Sequence, residues 1–214
     1  MSLSLRVKSG LSRLHIDSCR LFADMCAEIE SHEKHMEWPQ PSWDRTRSYA
    51  LASVILAVGA LESSINELYQ QAIDRDKNAL ENLSEAQMKL LEQLWTQAEE
   101  FSILRKYQVA LVACGRDPMQ EGSEPFQSAA ALIVLRNALT HFKPEWDDSL
   151  IEHKKLERRL RSYFAPSALA ERAKGRIVWF PHKCLGAGCA TWACTTAEEF
   201  SNAFCALMQI RKRL

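Results

Sequence analysis

Arg136-Asn137-Ala-Leu-Thr-His141 places side chains that can act on a phosphodiester at the end of an otherwise apolar run, Ala129 to Leu139. If this run is helical, Asn137 and His141 lie one turn apart on one face, because four residues at about 100° each make just over one turn. Arg136 is expected on the adjacent edge, with a side chain long enough to swing to the same point. Arginine is permanently charged and offers a planar fork to two phosphate oxygens. Histidine titrates near neutrality and can take or give a proton. RNA carries its own nucleophile, the 2′-OH, so an Arg–His pair is enough to cleave it without a metal. A second polar break, Leu61-Glu62-Ser63-Ser64-Ile65-Asn66, interrupts an earlier apolar stretch, and Glu62 is a candidate to support the same site. The alternative is structural: a histidine that ends a helix, and an arginine in a buried polar network with Glu62.

Charge is unevenly distributed around these residues. Glu62 to Glu100 holds nine acidic residues against three basic ones, whereas His153 to Arg176 holds eight basic against two acidic. Solvated helix faces would account for both. The sharper reading is a basic flank that draws a polyanion to a nearby site, with Lys143, Lys154, Lys155, Arg158 and Arg159 as candidate RNA contacts. His182, Cys184, Cys189 and Cys194 form the one cluster with metal-ligand chemistry. Four residues separate successive cysteines, the edge of zinc-site spacing, and Gly186-Ala-Gly188 reads better as a loop entering a closely packed helix. No metal or other cofactor is expected. The six tryptophans are assigned to packing.

Several helices must position these groups. Apolar spacing follows the helical period over Leu11–Met36 (stripe Leu14, Leu21, Phe22, Met25, Cys26, Ile29) and from after Pro41-Ser42 to about Ala72 (stripe Leu51, Val54, Ile55, Val58, Leu61, Ile65, Leu68). A third helix opens at Ser84 and reaches about Cys114, where Gly115 supplies a stop. A fourth opens near Ser123-Glu-Pro125 and ends by Lys143, before Pro144. Beyond Pro144 come a short basic helix over Leu150–Phe164, a turn or two at Ser167–Ala173, an extended segment over Gly175–Pro181, and a last helix from Thr191 or Thr195 to Arg211. The expected fold is all-α: an antiparallel four-helix bundle over 1–145, with a C-terminal helical elaboration over 146–214 on the same domain.

Composition agrees with this reading. The chain is 24.4 kDa with 27 basic and 27 acidic residues, 47% hydrophobic, and only seven glycines and seven prolines. That suits a globular helical protein and leaves little room for the turns of an all-β sandwich. Zero net charge argues against non-specific coating of duplex nucleic acid. The sequence shows neither a signal peptide nor an evident membrane span, so a cytoplasmic protein without a membrane partner is expected, with its seven cysteines reduced.

Arg136-Asn137-Ala-Leu-Thr-His141, late in a four-helix pattern and preceded by Ala60-Leu61-Glu62-Ser63-Ser64-Ile65-Asn66, resembles the R-N-x-x-x-H signature of HEPN domains. The resemblance covers about Leu11 to Phe142; the long segment after Pro144 departs from the minimal bundle. It implies a homodimer with two such motifs facing each other across a composite cleft. It further implies a metal-independent endoribonuclease leaving 2′,3′-cyclic phosphate and 5′-OH ends, of the kind found in toxin–antitoxin and antiphage systems, with RNA and a cognate antitoxin as partners. By that resemblance His141 is the general acid/base, Arg136 stabilises the phosphate, Asn137 orients the site and Glu62 supports it. Other members of the family are non-catalytic bundles that bind nucleotides or partner proteins.

Overall fold

The computed structural model describes residues 8–32, 41–173 and 177–214. It contains α1 (Ser12–His32), α2 (Pro41–Ile73), α3 (Glu85–Ala98), α4 (Ile103–Ala113), α5 (Phe126–Thr140), α6 (Glu152–Leu160), α7 (Ala168–Arg172), a single π turn (Trp179–Lys183) and α8 (Ala187–Met208), with no strand among the described residues. The expected end of the first helix, at Met36, lies outside the described residues, as do Gly175 and Arg176 of the expected extended segment. Of the rest, Ile177 and Val178 precede the π turn, Val178 with extended backbone angles, and Trp179–Pro181 enter it, where Phe180 is again extended.

The centre of the molecule is a three-helix layer of α1, α2 and α8. Pairings along α1 and α2 run in opposite directions: Ser12 meets Glu67, His15 meets Ser63, and Cys26 meets Thr46. The Glu30 side chain, near the end of α1, stands against Gly186 at the start of α8, whereas Cys19 and Arg20, earlier in α1, meet Cys194 and Glu198, so α8 runs antiparallel to α1 and parallel to α2. Residues after Pro144 therefore supply a core helix as well as a covering layer. α2 also packs against α3, α4 and α5. It is the one helix among the described residues long and apolar enough to cross a membrane, yet half of its most apolar window is buried inside the protein.

The layer packs through small side chains. α1 buries Ser12, Ile16, Cys19, Ala23, Cys26 and Glu30, while Leu14 and Leu21, expected in its buried stripe, are 60% and 58% exposed. Ile55 of α2 is likewise turned outward. The reason lies in the facing surfaces: Ala50, Ser53, Ala57 and Ala60 of α2, and Ala190, Ala193 and Ala197 of α8, are all essentially solvent-free. Helices that approach this closely are seamed mostly by small side chains, with Ile16 the one large apolar residue that α1 buries. Larger side chains fill the outer interface, where Tyr107 of α4 stands edge-on against Phe200 and Phe204 at 4.9 and 4.7 Å.

The expected third helix is two. Ser84 opens α3 with a capping box in which its hydroxyl accepts from the N–H of Gln87 at 3.2 Å and its own N–H donates to Gln87 Oε1 at 2.8 Å. The helix breaks at Glu99-Glu100, two acids where the helix dipole disfavours them, and α4 restarts after Ser102. Gly115, at φ +68°, lies just past the end of α4 as the sequence suggests.

Candidate functional site

The last turn of α5 forms one wall of an open cleft of about 640 Å³. Val134, Ala138 and His141 line it, a spacing that repeats on one face of a helix. Lys155, Leu156 and Arg159 of α6 form the facing wall, and Lys143 lies at the turn between the two helices. His141 caps α5, is exposed, and donates its backbone N–H to Asn137 O at 2.9 Å.

The turn is held by two residues that the sequence did not single out. The Glu145 carboxylate accepts the backbone N–H groups of Ile151, Glu152 and His153 at 3.0–3.1 Å. It thus caps α6 from six to eight residues upstream and sets its charge against the positive end of the helix. Those N–H groups, of Glu152 above all and then of His153, hold the Glu145 carboxyl below its ordinary range. His153, buried, donates through Nε2 to Lys143 O at 3.0 Å. Its ring stacks on Phe142 at 5.5 Å and meets Phe180 edge-on at 5.0 Å. Glu145 stands outside the four-residue window of a capping box, and His153 reads in sequence as one more polar residue of a basic helix. Neither leaves a local signal.

His141, Lys143, Lys155 and Arg159 therefore share one cleft. The other candidates do not. Arg136 precedes His141 by five residues, which puts the two roughly 140° apart around the helix. The arginine does not line the cleft, and its Nε is buried with no hydrogen-bond partner among the described residues. Arg136 is thus on the far edge of α5 and not on the edge beside His141. Asn137 is exposed and also outside the lining. Lys154 and Arg158 lie off the cleft-facing stripe of α6, where Arg158 Nε donates to Lys154 O at 3.3 Å. Glu62, half-buried on α2, forms no ion pair with Arg136, and its neighbour one turn on, Asn66, accepts instead from the buried Lys106 of α4 at 2.9 Å.

The cysteine cluster is taken apart by the fold. Cys194 is joined to Cys19 in a disulfide between α8 and α1, contrary to the expectation that all seven cysteines are reduced thiols. Cys184 and Cys189 are buried, and burial pushes both thiols well up, away from the thiolate a metal or a nucleophile needs. Among the described residues no group of three His, Cys, Asp or Glu side chains could hold a metal ion. The segment packs closely: a Cβ at Gly186 would stand 2.5 Å from Ser167, and one at Gly188 2.7 Å from Ala165 O.

Compared with known proteins, the chain matches no family model, no curated sequence and no solved structure.

Proposed function

We propose that this chain is a metal-independent endoribonuclease of the HEPN type, with the cleft at the end of α5 as its phosphodiester site. The observation that carries the reading is the exposed His141 imidazole in a cleft whose other walls bear Lys143, Lys155 and Arg159. A proton-transferring ring with cations around it is what transesterification by the 2′-OH requires. His141 exchanges the proton, the cations offset charge growing on the phosphate, and products carry 2′,3′-cyclic phosphate and 5′-OH ends. Within one chain the cationic role falls to Lys155 and Arg159, since Arg136 is on the other side of α5. In a homodimer Arg136 remains free to serve a composite site. A toxin or antiphage role, with an antitoxin covering the cleft, is consistent with this chemistry.

A second reading is a non-catalytic bundle that uses the same cleft to bind a nucleotide or a partner protein. The separation of Arg136 and Glu62 from His141 favours it. Cleavage of a labelled mixed-sequence RNA in excess EDTA, by wild type and His141→Ala, decides between the two. Cyclic-phosphate ends from the wild type alone support the ribonuclease. Retained RNA or nucleotide affinity with no cleavage by either protein supports the binding bundle.

A further inference from the structure

Beyond the ring of His153 lies a second cavity of about 380 Å³, within the size range of small-ligand pockets. Pro144, Glu145, His153 and Phe180 line both this cavity and the cleft, so the two share a wall. The remaining lining includes the aromatic ring of Phe142, Arg47 from the first turns of α2, and His182 from the π turn. Arg47 Nε and His182 Nδ1 are both buried with no hydrogen-bond partner among the described residues. The Arg47 guanidinium donates through Nη1 to Asp44 Oδ1 at 3.4 Å, and the Asp44 side chain is 80% exposed. A guanidinium has five donors and cannot shed its charge, so an arginine this sparsely bonded favours an occupant that brings acceptors.

The chemistry of the walls narrows that occupant. Phe142, 44% exposed, offers a flat apolar surface suited to an aromatic ring, and the buried ring of Phe180 backs the same wall. Arg47 offers only donors. Among the nucleobases, guanine presents two adjacent acceptors, O6 and N7, that match such a fork on a two-ring face, whereas adenine sets a donor beside its N7 and the cytosine pair, O2 and N3, lies next to the glycosidic bond on a smaller ring. Burial, with Arg47 next and Asp44 opposing, holds the His182 imidazole below its ordinary range, which leaves one ring nitrogen free to accept.

We infer that this cavity is a guanine-binding subsite that seats the base beside the phosphodiester in the cleft. The inference rests on the reading of that cleft as an RNA site, and it makes the protein selective for guanine next to the scissile bond. The shared chemistry is the guanine ring, which RNA or a free nucleotide can supply.

Equilibrium binding of 3′-GMP, 3′-AMP, 3′-CMP and 3′-UMP to the full chain tests it, alongside 2′-O-methyl tetramers with one central G, A, C or U. The guanine ligands are expected to bind at least tenfold tighter than the others. Arg47→Gln should bring all four bases within about threefold of one another. Arg47→Lys keeps the charge, loses the fork, and should do the same, so a folding defect in one variant does not decide the result. Equal affinity for all bases in the wild type, or a guanine preference that survives both variants, overturns the subsite. Tighter binding of the G tetramer than of 3′-GMP assigns the base to RNA, and affinity for 3′-GMP alone overturns that assignment. His141-dependent cleavage with no base preference sinks the subsite and spares the ribonuclease. An Arg47-dependent guanine preference without cleavage by wild type does the reverse.

Discussion

The polar break in α2 and the polar end of α5 look alike in sequence and differ in the fold. Both interrupt apolar helices with carboxylate, amide, arginine or histidine side chains. In α2 most of these groups are spent. Asn66 accepts from Lys106, and Glu67 takes the N–H groups of Leu11 and Ser12 at 2.8 and 2.9 Å and the Ser12 hydroxyl at 2.6 Å. The guanidinium of Arg213 approaches the same carboxylate at 3.7 Å and donates to Ser64 and Gln71. α2 lies at the centre of the molecule, where neighbouring segments supply partners for Ser63, Ser64, Asn66 and Glu67 and leave Glu62 without one among the described residues. α5 ends at the edge, facing a cleft, so His141 keeps its imidazole open to a ligand. Polar residues on an apolar helix become structural or available according to what the neighbouring elements bring to them.

The largest expected effect lies on the open side. His141→Ala should lower RNA cleavage by about 10²-fold or more, the usual worth of a general acid or base, with a melting temperature close to wild type. A loss of stability instead would move His141 into the class of the α2 residues and break the comparison.

Next comes the frame that both regions share. The Cys19–Cys194 disulfide closes a span of 175 residues between the first and last helices. Reduction, or Cys19→Ser with Cys194→Ser, should cost about 2–4 kcal/mol in chemical denaturation and leave per-molecule cleavage of the folded protein unchanged. A third, smaller effect tests the spent side directly. Glu67→Gln removes the charge that caps α1 and faces Arg213, and should cost about 1.5–3 kcal/mol, the range for hydrogen bonds to a charged group. Cleavage should again be unaffected. Reduced cleavage at full stability would show that the α2 cluster is coupled to the site.

These differences explain what was legible in the sequence. Helix content, the Ser84 cap and the Gly115 stop rest on local chemistry and are readable from neighbours in the chain. The buried face of α1 is not, because it is set by the alanines of α2 and α8 across the interface; the leucine stripe is hydrophobic enough to be core, but that contact is seamed mostly by small side chains. At the candidate site, His141 is legible by its spacing, and Lys143, Lys155 and Arg159 only as part of a basic flank that equally names Lys154 and Arg158, which lie off the cleft. Side-chain length does not bring Arg136 to His141, because five residues make about 140° of rotation and set it on the other edge of α5. Glu145 and His153 were missed because both act across the 143–153 turn. Arg47, Phe142 and His182 come together only through the packing of α2, the end of α5 and the π turn.

The smallest effect expected is also the most local. Glu145 holds the turn between the two cleft walls, and backbone N–H groups keep its folded-state carboxyl below the ordinary value of 4.5. A carboxyl lowered on folding contributes stability that is complete above its unfolded value and is lost as pH falls through the folded one. Between pH 7 and 5 the turn should therefore stay closed, and it should loosen only in acid below the ordinary carboxylate range. Hydrogen exchange at the N–H groups of Ile151, Glu152 and His153 reads this directly, because all three bond to this one carboxylate. Glu145→Gln, which keeps an acceptor oxygen and removes the charge, should raise exchange at these positions at pH 7 and flatten its acid dependence. The amides flanking Glu67 at the start of α1 should not respond. Exchange that stayed slow in Glu145→Gln would mean that His153, wedged between Phe142 and Phe180, holds the turn by packing alone. The cleft would then owe its shape to the aromatic cluster and not to the cap.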